Sequence, residues 1–203
     1  MQLFGSPMSP YVRKVRALVL ETGLEDRVPL VQQDPRRNTG GYHRKYPLAR
    51  VPALECDDGE VLFDSPVICE YLDSLHRRRK MFPARGKARW RALKFQAVGD
   101  GIMDCAVPLR AELLRPARQR STEFIERRHG DIVRTVGALD QVAKAGELGR
   151  QSNIGTLAVA CALGYLDFRF PDLPWRRRRK TIADWYAAFD ERRSMRETLP
   201  EQI

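Results

Sequence analysis

The sequence has no apolar run that approaches the roughly 20 residues a membrane-spanning helix requires. Its first residues also show no basic stretch leading into a long apolar one, so we expect neither a membrane protein nor a signal peptide. The four cysteines lie far apart and form no C-x-x-C motif. This spacing excludes a zinc ribbon and a thioredoxin-type dithiol, and it is typical of reduced thiols in a cytoplasmic protein. The three histidines show no metal-ligand spacing, so we expect no metal site.

The charge is strongly positive, because 36 Lys and Arg residues against 26 Asp and Glu residues give a formal net charge of +10. Residues 1–80 carry a net charge of +2 and residues 81–203 carry +8, with dense basic runs at 77–80 and 176–180. Basic surfaces bind polyanions by releasing counterions, so a polyanion-binding protein is one alternative, which a steep salt dependence of nucleic-acid binding would reveal. Neither run is interleaved with the aromatic side chains of single-strand platforms. We therefore expect solvated charges and no nucleic-acid partner.

The first 80 residues alternate between short apolar runs and helical periodicity. The pattern predicts a strand, a helix, a strand, a hairpin around a D-D-G turn and a second helix, over residues 2–5, 9–23, 28–31, 53–63 and 64–76. Ser9 and Ser65 each stand before a proline at a predicted helix start, where serine is a good N-cap and proline loses no hydrogen bond. The opening strand–helix–strand is most simply a right-handed parallel unit.

From about Lys87 onward the pattern predicts helices only, over residues 87–114, 121–145, 153–170 and 181–198. Pro108 lies inside the first of these segments, where we expect it to kink or break the helix. The third segment is apolar nearly all round, so we expect a central buried helix. The chain is thus predicted to be a small βαβ-ββα unit followed by an all-helical domain.

Three sequence features could together bind an anion and an extended peptide. Helix starts at Ser9 and Ser65 offer unpaired N–H groups and a partial positive charge, which favour a thiolate or a carboxylate. Taken alone, each serine is explained as a helix cap. Pro52, in "RVPAL", stands at the start of a strand that we expect to be internal, and a cis Val51–Pro52 bond would explain it. Such a bend would expose the backbone N–H and C=O of Val51 to an extended peptide.

These features lie in the segments "GSPMSPYVRKVR", "YPLARVPAL" and "FDSPVICEYLD", which in this order and spacing resemble the glutathione S-transferase family. The serine at the first helix and the later segment "AVACALGYLDFRFPDLPWR" are similar to a bacterial branch of that family. The resemblance implies an α/β thioredoxin-like N-terminal domain over residues 1–80 and an all-α C-terminal domain over residues 81–203. It also implies that the first domain binds glutathione and that the second forms the pocket for an electrophilic substrate.

The resemblance assigns roles to individual residues. Ser9 matches the residue whose hydroxyl donates a hydrogen bond to the glutathione sulfur, which favours the thiolate and lowers the thiol pKa. Val51 matches the position whose backbone pairs with the cysteinyl part of glutathione. Ser65 matches the residue that holds the γ-glutamyl carboxylate through its hydroxyl and its backbone N–H. Tyr11 lies near the expected thiolate, where it could line the electrophile pocket, act as a second donor, or simply pack.

Three positions depart from the residues usual in the family. Asp64 takes the place of a glutamate in many relatives and is one methylene shorter. Arg50 stands where relatives often have lysine or glutamine, and it could pair with the glycyl carboxylate of glutathione. Thr156 replaces an aspartate that usually lies three residues after the helix cap, here Asn153. We expect this last change to weaken the capping box of that helix.

The function implied is that of a cytoplasmic glutathione S-transferase that serves detoxification. We expect it to bind glutathione and a small hydrophobic electrophile, to form a homodimer, and to need no metal. Two alternatives also use glutathione: a stress or regulatory protein that binds it with little transferase activity, and a glutathione-dependent peroxidase. The mixed-disulfide route to peroxide reduction is disfavoured because Ser9 cannot form a disulfide.

Overall fold

The computed structural model describes residues 1–200. It divides into two compact units, one that comprises Met1–Trp90 and resumes at Arg192, and one that comprises Arg91–Glu191. The strands are β1 (Gln2–Gly5), β2 (Leu30–Gln32), β3 (Ala53–Glu55) and β4 (Val61–Leu62). The helices are α1 (Pro10–Thr22), α2 (Tyr42–Lys45), α3 (Ser65–Ser74), α4 (Gly86–Leu113), α5 (Thr122–Lys144), α6 (Ile154–Arg169), α7 (Lys180–Asp190) and α8 (Arg193–Arg196).

The N-terminal unit is built on a four-stranded sheet in the order β2-β1-β3-β4. Strand β1 pairs in parallel with β2, and β3 runs antiparallel to both β1 and β4. The predicted parallel opening and the predicted hairpin are therefore confirmed. Strand β2 begins at Leu30 instead of Val28, because the backbone N–H of Val28 is already engaged in a turn with the carbonyl of Leu24, 3.1 Å away.

Helix α1 begins and ends as the sequence predicts. Ser9 is its N-cap and Pro10 its first residue. At the other end Gly23 has a φ of 71°, a left-handed conformation that favours glycine, and its backbone N–H donates to the carbonyl of Val19. The predicted apolar face of α1 is buried: Val12, Val15, Leu18 and Val19.

The predicted N-cap of α3 is wrong by one residue. Asp64 occupies the cap position with an extended backbone, φ −89° and ψ −178°, and Ser65 is the first helical residue. The Asp64 carboxylate accepts the backbone N–H of Ser65. A carboxylate is favoured at the positive end of a helix, and here it stands one position ahead of the serine that could have done the same. Pro66 is consequently the second helical residue, where its missing N–H is still harmless.

The segment between β2 and β3 contains α2, which the turn-rich sequence pattern does not predict. A 3-10 turn at Thr39–Gly41 precedes it, and Gly40 and Gly41 both adopt left-handed backbone angles, with φ of 62° and 73°. Helix α2 follows directly: its first residue, Tyr42, and the residue after its end, Tyr46, are both buried.

The first C-terminal helix is not broken at Pro108, because α4 runs continuously from Gly86 to Leu113. Proline cannot donate a hydrogen bond to the carbonyl four residues earlier, which belongs to Asp104. Both Pro108 and Asp104 are exposed, so water can satisfy that carbonyl. The helix tolerates the proline because the missing bond falls on its solvent face.

Helix α6 is buried as predicted, since every residue from Ile154 to Leu166 is buried. The predicted weakening of its capping box is wrong. The side-chain oxygen of Asn153 accepts the N–H of Thr156 at 3.1 Å, and the Thr156 hydroxyl accepts the N–H of Asn153 at 2.9 Å. A hydroxyl thus completes the reciprocal pair in place of a carboxylate. Although α6 is apolar, no helix within residues 1–200 is long and apolar enough to cross a membrane.

Two glycines bring α4 and α6 into backbone contact. A Cβ atom at Gly99 would lie 2.5 Å from the carbonyl carbon of Ala158. A Cβ atom at Gly155 would overlap the carbonyl oxygen of Ala92. Only glycine permits these approaches, so the two helices fix each other's position within the helical unit.

The last predicted helix, over residues 181–198, is two helices in the structure. Helix α7 ends at Asp190 and α8 begins at Arg193. Within α7, the backbone N–H of Ile182 donates to the buried carboxylate of Asp140 at 3.0 Å. Burial raises the pKa of Asp140, but its hydrogen bonds with Lys144 and Ile182 outweigh burial and hold the pKa below its usual range.

The segment that begins at Arg192 belongs to the N-terminal unit, which differs from the predicted division into residues 1–80 and 81–203. The Arg192 guanidinium pairs with both carboxylate oxygens of Glu21 on α1, at 2.8 and 2.9 Å. The Ser194 hydroxyl donates to the same carboxylate at 2.6 Å. Residues 201–203 of the predicted helical domain lie outside the described residues.

We expect Gly99→Ala to lower the free energy of unfolding, because the added methyl group would overlap the backbone of α6 at Ala158. Overpacking of this kind costs about 1–3 kcal/mol. Gly101→Ala on the same helix is the matched control, since a Cβ atom there meets nothing within 4 Å. We expect the control to gain about 0.4–1 kcal/mol. Urea unfolding followed by circular dichroism measures both, and equal midpoints for the two variants would contradict the close approach of α4 and α6.

Candidate functional site

The candidate site lies at one end of the N-terminal sheet, where the strand register gathers three segments. Ser9 follows the end of β1, Val51 precedes the start of β3, and Asp64 follows the end of β4. Because β3 runs antiparallel to both of its neighbours, these three points lie at the same end of the sheet.

The Ser9 side chain is fixed at the N-terminus of α1. Its Oγ accepts the backbone N–H of Val12 at 3.4 Å, and the backbone N–H of Ser9 donates to the carbonyl of Ser6 at 3.0 Å. The first turn of α1 packs closely on the end of β1, since a Cβ atom at Gly5 would lie 2.6 Å from a Val12 methyl group. The Ser9 hydroxyl accepts from the helix, so its own hydrogen can donate to a second group. The partial positive charge of the helix end favours an anion as that group.

The segment Arg50–Pro52 contains the predicted cis bond between Val51 and Pro52. The Arg50 side chain is exposed, while its backbone carbonyl accepts the hydroxyl of Tyr42 at 2.5 Å. Val51 is half-buried and packs against a hydrophobic cluster formed by Phe4, Tyr42, Tyr46 and Ala53. The backbone before β3 is therefore held by side chains of the N-terminal unit.

Asp64 and Ser65 form the third part of the candidate site. Asp64 is exposed, and its carboxylate accepts the backbone N–H of Ser65. Ser65 is only 1% exposed, and its hydroxyl oxygen has no hydrogen-bond partner within residues 1–200. Buried polar atoms are nearly always paired, so this hydroxyl has bonding capacity left for a ligand. Of the two donors predicted at Ser65, the N–H is engaged with Asp64 and the hydroxyl is unused.

Two stacked aromatic rings connect the segments around Val51 and Asp64. The rings of Tyr46 and Phe63 lie with centroids 4.1 Å apart and planes inclined by 14°. Burial raises the pKa of Tyr46, the charge of Asp64 raises it further, and the charge of Arg50 lowers it. Tyr46 therefore lies within electrostatic reach of both charged side chains.

The sequence pattern missed Tyr42 and Tyr46 because they lie in a stretch rich in turn-forming residues. Their spacing of four residues sets both on one side of a helical turn, and this signal could have found them. Tyr11 is half-buried in the first turn of α1, two residues after Ser9, and its place in an electrophile pocket stays a prediction. Within residues 1–200, no group of three or more His, Cys, Asp or Glu side chains could hold a metal ion.

Both basic runs supply contacts that hold the fold. In the run 176–180, Arg176 donates two hydrogen bonds to the carboxylate of Asp167. In the run 77–80, the Lys80 ammonium donates to the carbonyls of Asp73 and His76, at 2.5 and 2.6 Å, near the end of α3. The helix end attracts such a cation because its last carbonyls lack helical partners.

Known proteins are similar to this chain in sequence and in fold. Residues 8–75 match the family described as glutathione S-transferase, N-terminal domain. A protein of Escherichia coli strain K12, named uncharacterized GST-like protein YibF, is 36% identical over 170 residues, and the match covers 83% of each chain.

Solved structures match the chain over nearly its whole length. A glutathione transferase family member from Pseudomonas fluorescens Pf-5, solved with bound glutathione, is 42% identical with a TM-score of 0.94 over 99% of both chains. A glutathione S-transferase from Methylobacillus flagellatus KT, solved with GSH bound, is 31% identical with a TM-score of 0.91, over 98% of this chain and 99% of that one. The predicted fold, a thioredoxin-like N-terminal region with a mostly helical C-terminal region, is confirmed. The chain belongs to the glutathione S-transferase family.

Proposed function

We propose that this protein is a glutathione transferase that activates the thiol of glutathione at Ser9 for attack on a small hydrophobic electrophile. The observation that carries the proposal is the position of the Ser9 hydroxyl. It lies at the N-terminus of α1 and accepts the N–H of Val12 at 3.4 Å. It also lies at the same end of the sheet as the cis Val51–Pro52 bond. The glutathione bound in the structures of the relatives from P. fluorescens and M. flagellatus supports the choice of ligand.

Activation at this site is electrostatic. The Ser9 hydroxyl donates a hydrogen bond to the glutathione sulfur, and the end of α1 adds partial positive charge, so the thiolate is favoured and the thiol proton leaves to solvent. The Ser9 hydroxyl is so weakly acidic that it stays protonated, so no alkoxide is available to act as a general base. The thiolate electron pair then forms the carbon–sulfur bond, and the electrophile either releases a leaving group with its bonding electrons or takes a proton from water. Binding both reactants in one site supplies the proximity.

The remaining site residues hold glutathione by its polar ends and its backbone. Val51 pairs through its N–H and C=O with the cysteinyl residue, as a short strand would. The Ser65 hydroxyl, which has no partner among residues 1–200, accommodates the γ-glutamyl carboxylate, and the exposed Asp64 carboxylate attracts the γ-glutamyl ammonium. Arg50, also exposed, pairs with the glycyl carboxylate. Tyr11, in the first turn of α1, lines the pocket for the electrophile.

The same proposal includes a cytoplasmic homodimer that serves detoxification. Two exposed apolar side chains of the N-terminal unit support association with a second copy, because Phe63 is 39% exposed and Val67 is 49% exposed. We expect sedimentation equilibrium to give the mass of two chains. A mass of one chain at micromolar concentration would contradict the dimer and leave the glutathione site unaffected.

Ser9→Ala removes the proposed donor to the sulfur. In the wild type we expect the thiol pKa of bound glutathione to lie well below the value of about 8.5 for an unperturbed thiol. In the variant it should return toward that value. A hydrogen bond to a charged group is worth about 1.5–3 kcal/mol, so kcat/KM with a chlorinated nitroaromatic electrophile should fall roughly 10- to 100-fold. Ultraviolet titration of the bound thiolate measures the pKa.

Ser6→Ala is the matched control for Ser9→Ala. Ser6 lies in the same loop, and its hydroxyl accepts only the local N–H of Met8 at 3.3 Å among the bonds described for residues 1–200. We expect it to leave the thiol pKa unchanged. Glutathione bound to the wild type with an unshifted thiol pKa would favour the binding protein without transferase activity, and no binding would overturn the proposed function.

Ser65→Ala tests the binding of the γ-glutamyl carboxylate. The Ser65 hydroxyl has no partner within residues 1–200, so its removal should not lower the stability of the ligand-free protein. Glutathione affinity should fall roughly 10- to 100-fold, as expected when a bond of about 1.5–3 kcal/mol to a charged group is lost. Calorimetric titration with glutathione and thermal unfolding measure the two quantities.

The control for Ser65→Ala is Ser74→Ala, at the other end of the same helix. The Ser74 hydroxyl donates to the carbonyl of Tyr71 at 2.6 Å, so this variant removes a serine hydroxyl from α3 outside the site. We expect its glutathione affinity to equal that of the wild type. If Ser65→Ala binds glutathione as tightly as Ser74→Ala does, the assigned role of Ser65 is wrong.

A further inference from the structure

A buried tyrosine hydroxyl contacts the backbone immediately before Val51. Tyr42 is 1% exposed, and its hydroxyl donates to the carbonyl of Arg50 at 2.5 Å. Its ring is packed against Phe4, with centroids 6.0 Å apart. Burial, with a smaller contribution from Tyr46, raises the pKa of Tyr42 far above its usual value. The hydroxyl therefore keeps its proton over the whole physiological pH range and is a permanent donor.

The accepting carbonyl belongs to the same peptide group as the backbone N–H of Val51. Within residues 1–200 the cis peptide bonds are Val51–Pro52 and Phe63–Asp64, so the peptide bond between Arg50 and Val51 is trans. In a trans peptide the C=O and N–H lie in one rigid plane and point in opposite directions. A bond that fixes the Arg50 carbonyl toward Tyr42 therefore fixes the Val51 N–H away from Tyr42.

We propose that Tyr42 is a positioning residue that aims the backbone N–H of Val51 at the cysteinyl carbonyl of glutathione. This inference rests on the proposed function, because it concerns the same glutathione site. Tyr42 does not touch the ligand: it acts through the Arg50–Val51 peptide plane. The hydrogen bond at the carbonyl also polarises that peptide group, which makes its N–H a better donor.

The packing of α2 makes Tyr42 a firm anchor for that plane. The turn at Gly40 and Gly41, both in left-handed conformations, sets the direction in which α2 begins. Tyr42 is the first residue of α2, and its ring belongs to the hydrophobic cluster on which the Val51 side chain also packs. The same cluster thus contacts Val51 twice, through its side chain and through its peptide plane.

Tyr42→Phe tests the inference because it keeps the ring and removes only the donor. We expect KM and Kd for glutathione to rise roughly 3- to 10-fold, the effect of losing one typical hydrogen bond. We expect kcat at saturating glutathione and the thiol pKa of bound glutathione to stay at their wild-type values, because Ser9 is unchanged. In isotope-labelled protein, the shift of the Val51 amide proton on adding glutathione should be smaller in the variant than in the wild type.

Tyr71→Phe is the matched control, since it removes a tyrosine hydroxyl that bonds to the Cys56 thiol after the far end of β3. We expect it to leave KM for glutathione unchanged. An unchanged KM in Tyr42→Phe would overturn the inference, as would an equal rise in both variants, which would indicate a general loss of stability. A raised thiol pKa in Tyr42→Phe would overturn it too, because the hydroxyl would then act on Ser9. Failure of the wild type to bind glutathione would instead refute the proposed function.

Discussion

Antiparallel pairing of β3 with both β1 and β4 is the constraint on which the rest of the candidate site depends. It brings the end of β1, the start of β3 and the end of β4 to one end of the sheet. Ser9 and Val51, which the family resemblance singles out, lie 42 positions apart in the chain. The strand pairing nevertheless brings them to the same end of the sheet. A one-residue slip in either ladder would turn these segments to the opposite face of the sheet.

Helices α1 and α3 both begin at this end of the sheet, but their N-termini are capped differently. At α1 the cap is a neutral hydroxyl, so the partial positive charge of the helix end is not neutralised by a side chain of its own cap. At α3 the cap is the carboxylate of Asp64, which supplies a negative charge directly. The first arrangement suits the stabilisation of an incoming anion such as a thiolate. The second suits recognition of a group that carries charges of both signs.

The parts of the fold that follow from local chemistry could be predicted from the sequence. The cap, the first proline and the terminal glycine of α1 depend on residues next to one another, and so does the burial pattern of α6. The cis bond at Pro52 could also be anticipated, because a proline at the start of an internal strand requires an unusual backbone.

The parts that the sequence did not reveal depend on competition or on distant contacts. Asp64 and Ser65 are both good caps, and only the shape of the turn after β4 decides between them. Tyr42 reaches Arg50 because two left-handed glycines set the start of α2, which a pattern of polar residues does not show. The pairing of Glu21 with Arg192 joins residues 171 positions apart, so no local pattern could group α8 with the first unit.

The capping of α3 by Asp64 also determines what kind of ligand can replace that contact. A simple anion that takes the Ser65 N–H must displace a carboxylate already bonded there, and it leaves that carboxylate unpaired beside it. The exchange then swaps one negative charge for two, which is electrostatically unfavourable. A zwitterionic head group avoids the penalty, because its ammonium neutralises the displaced Asp64 while its own carboxylate takes the helix end. We therefore expect the proposed site to favour amino-acid-like ligands over inorganic anions.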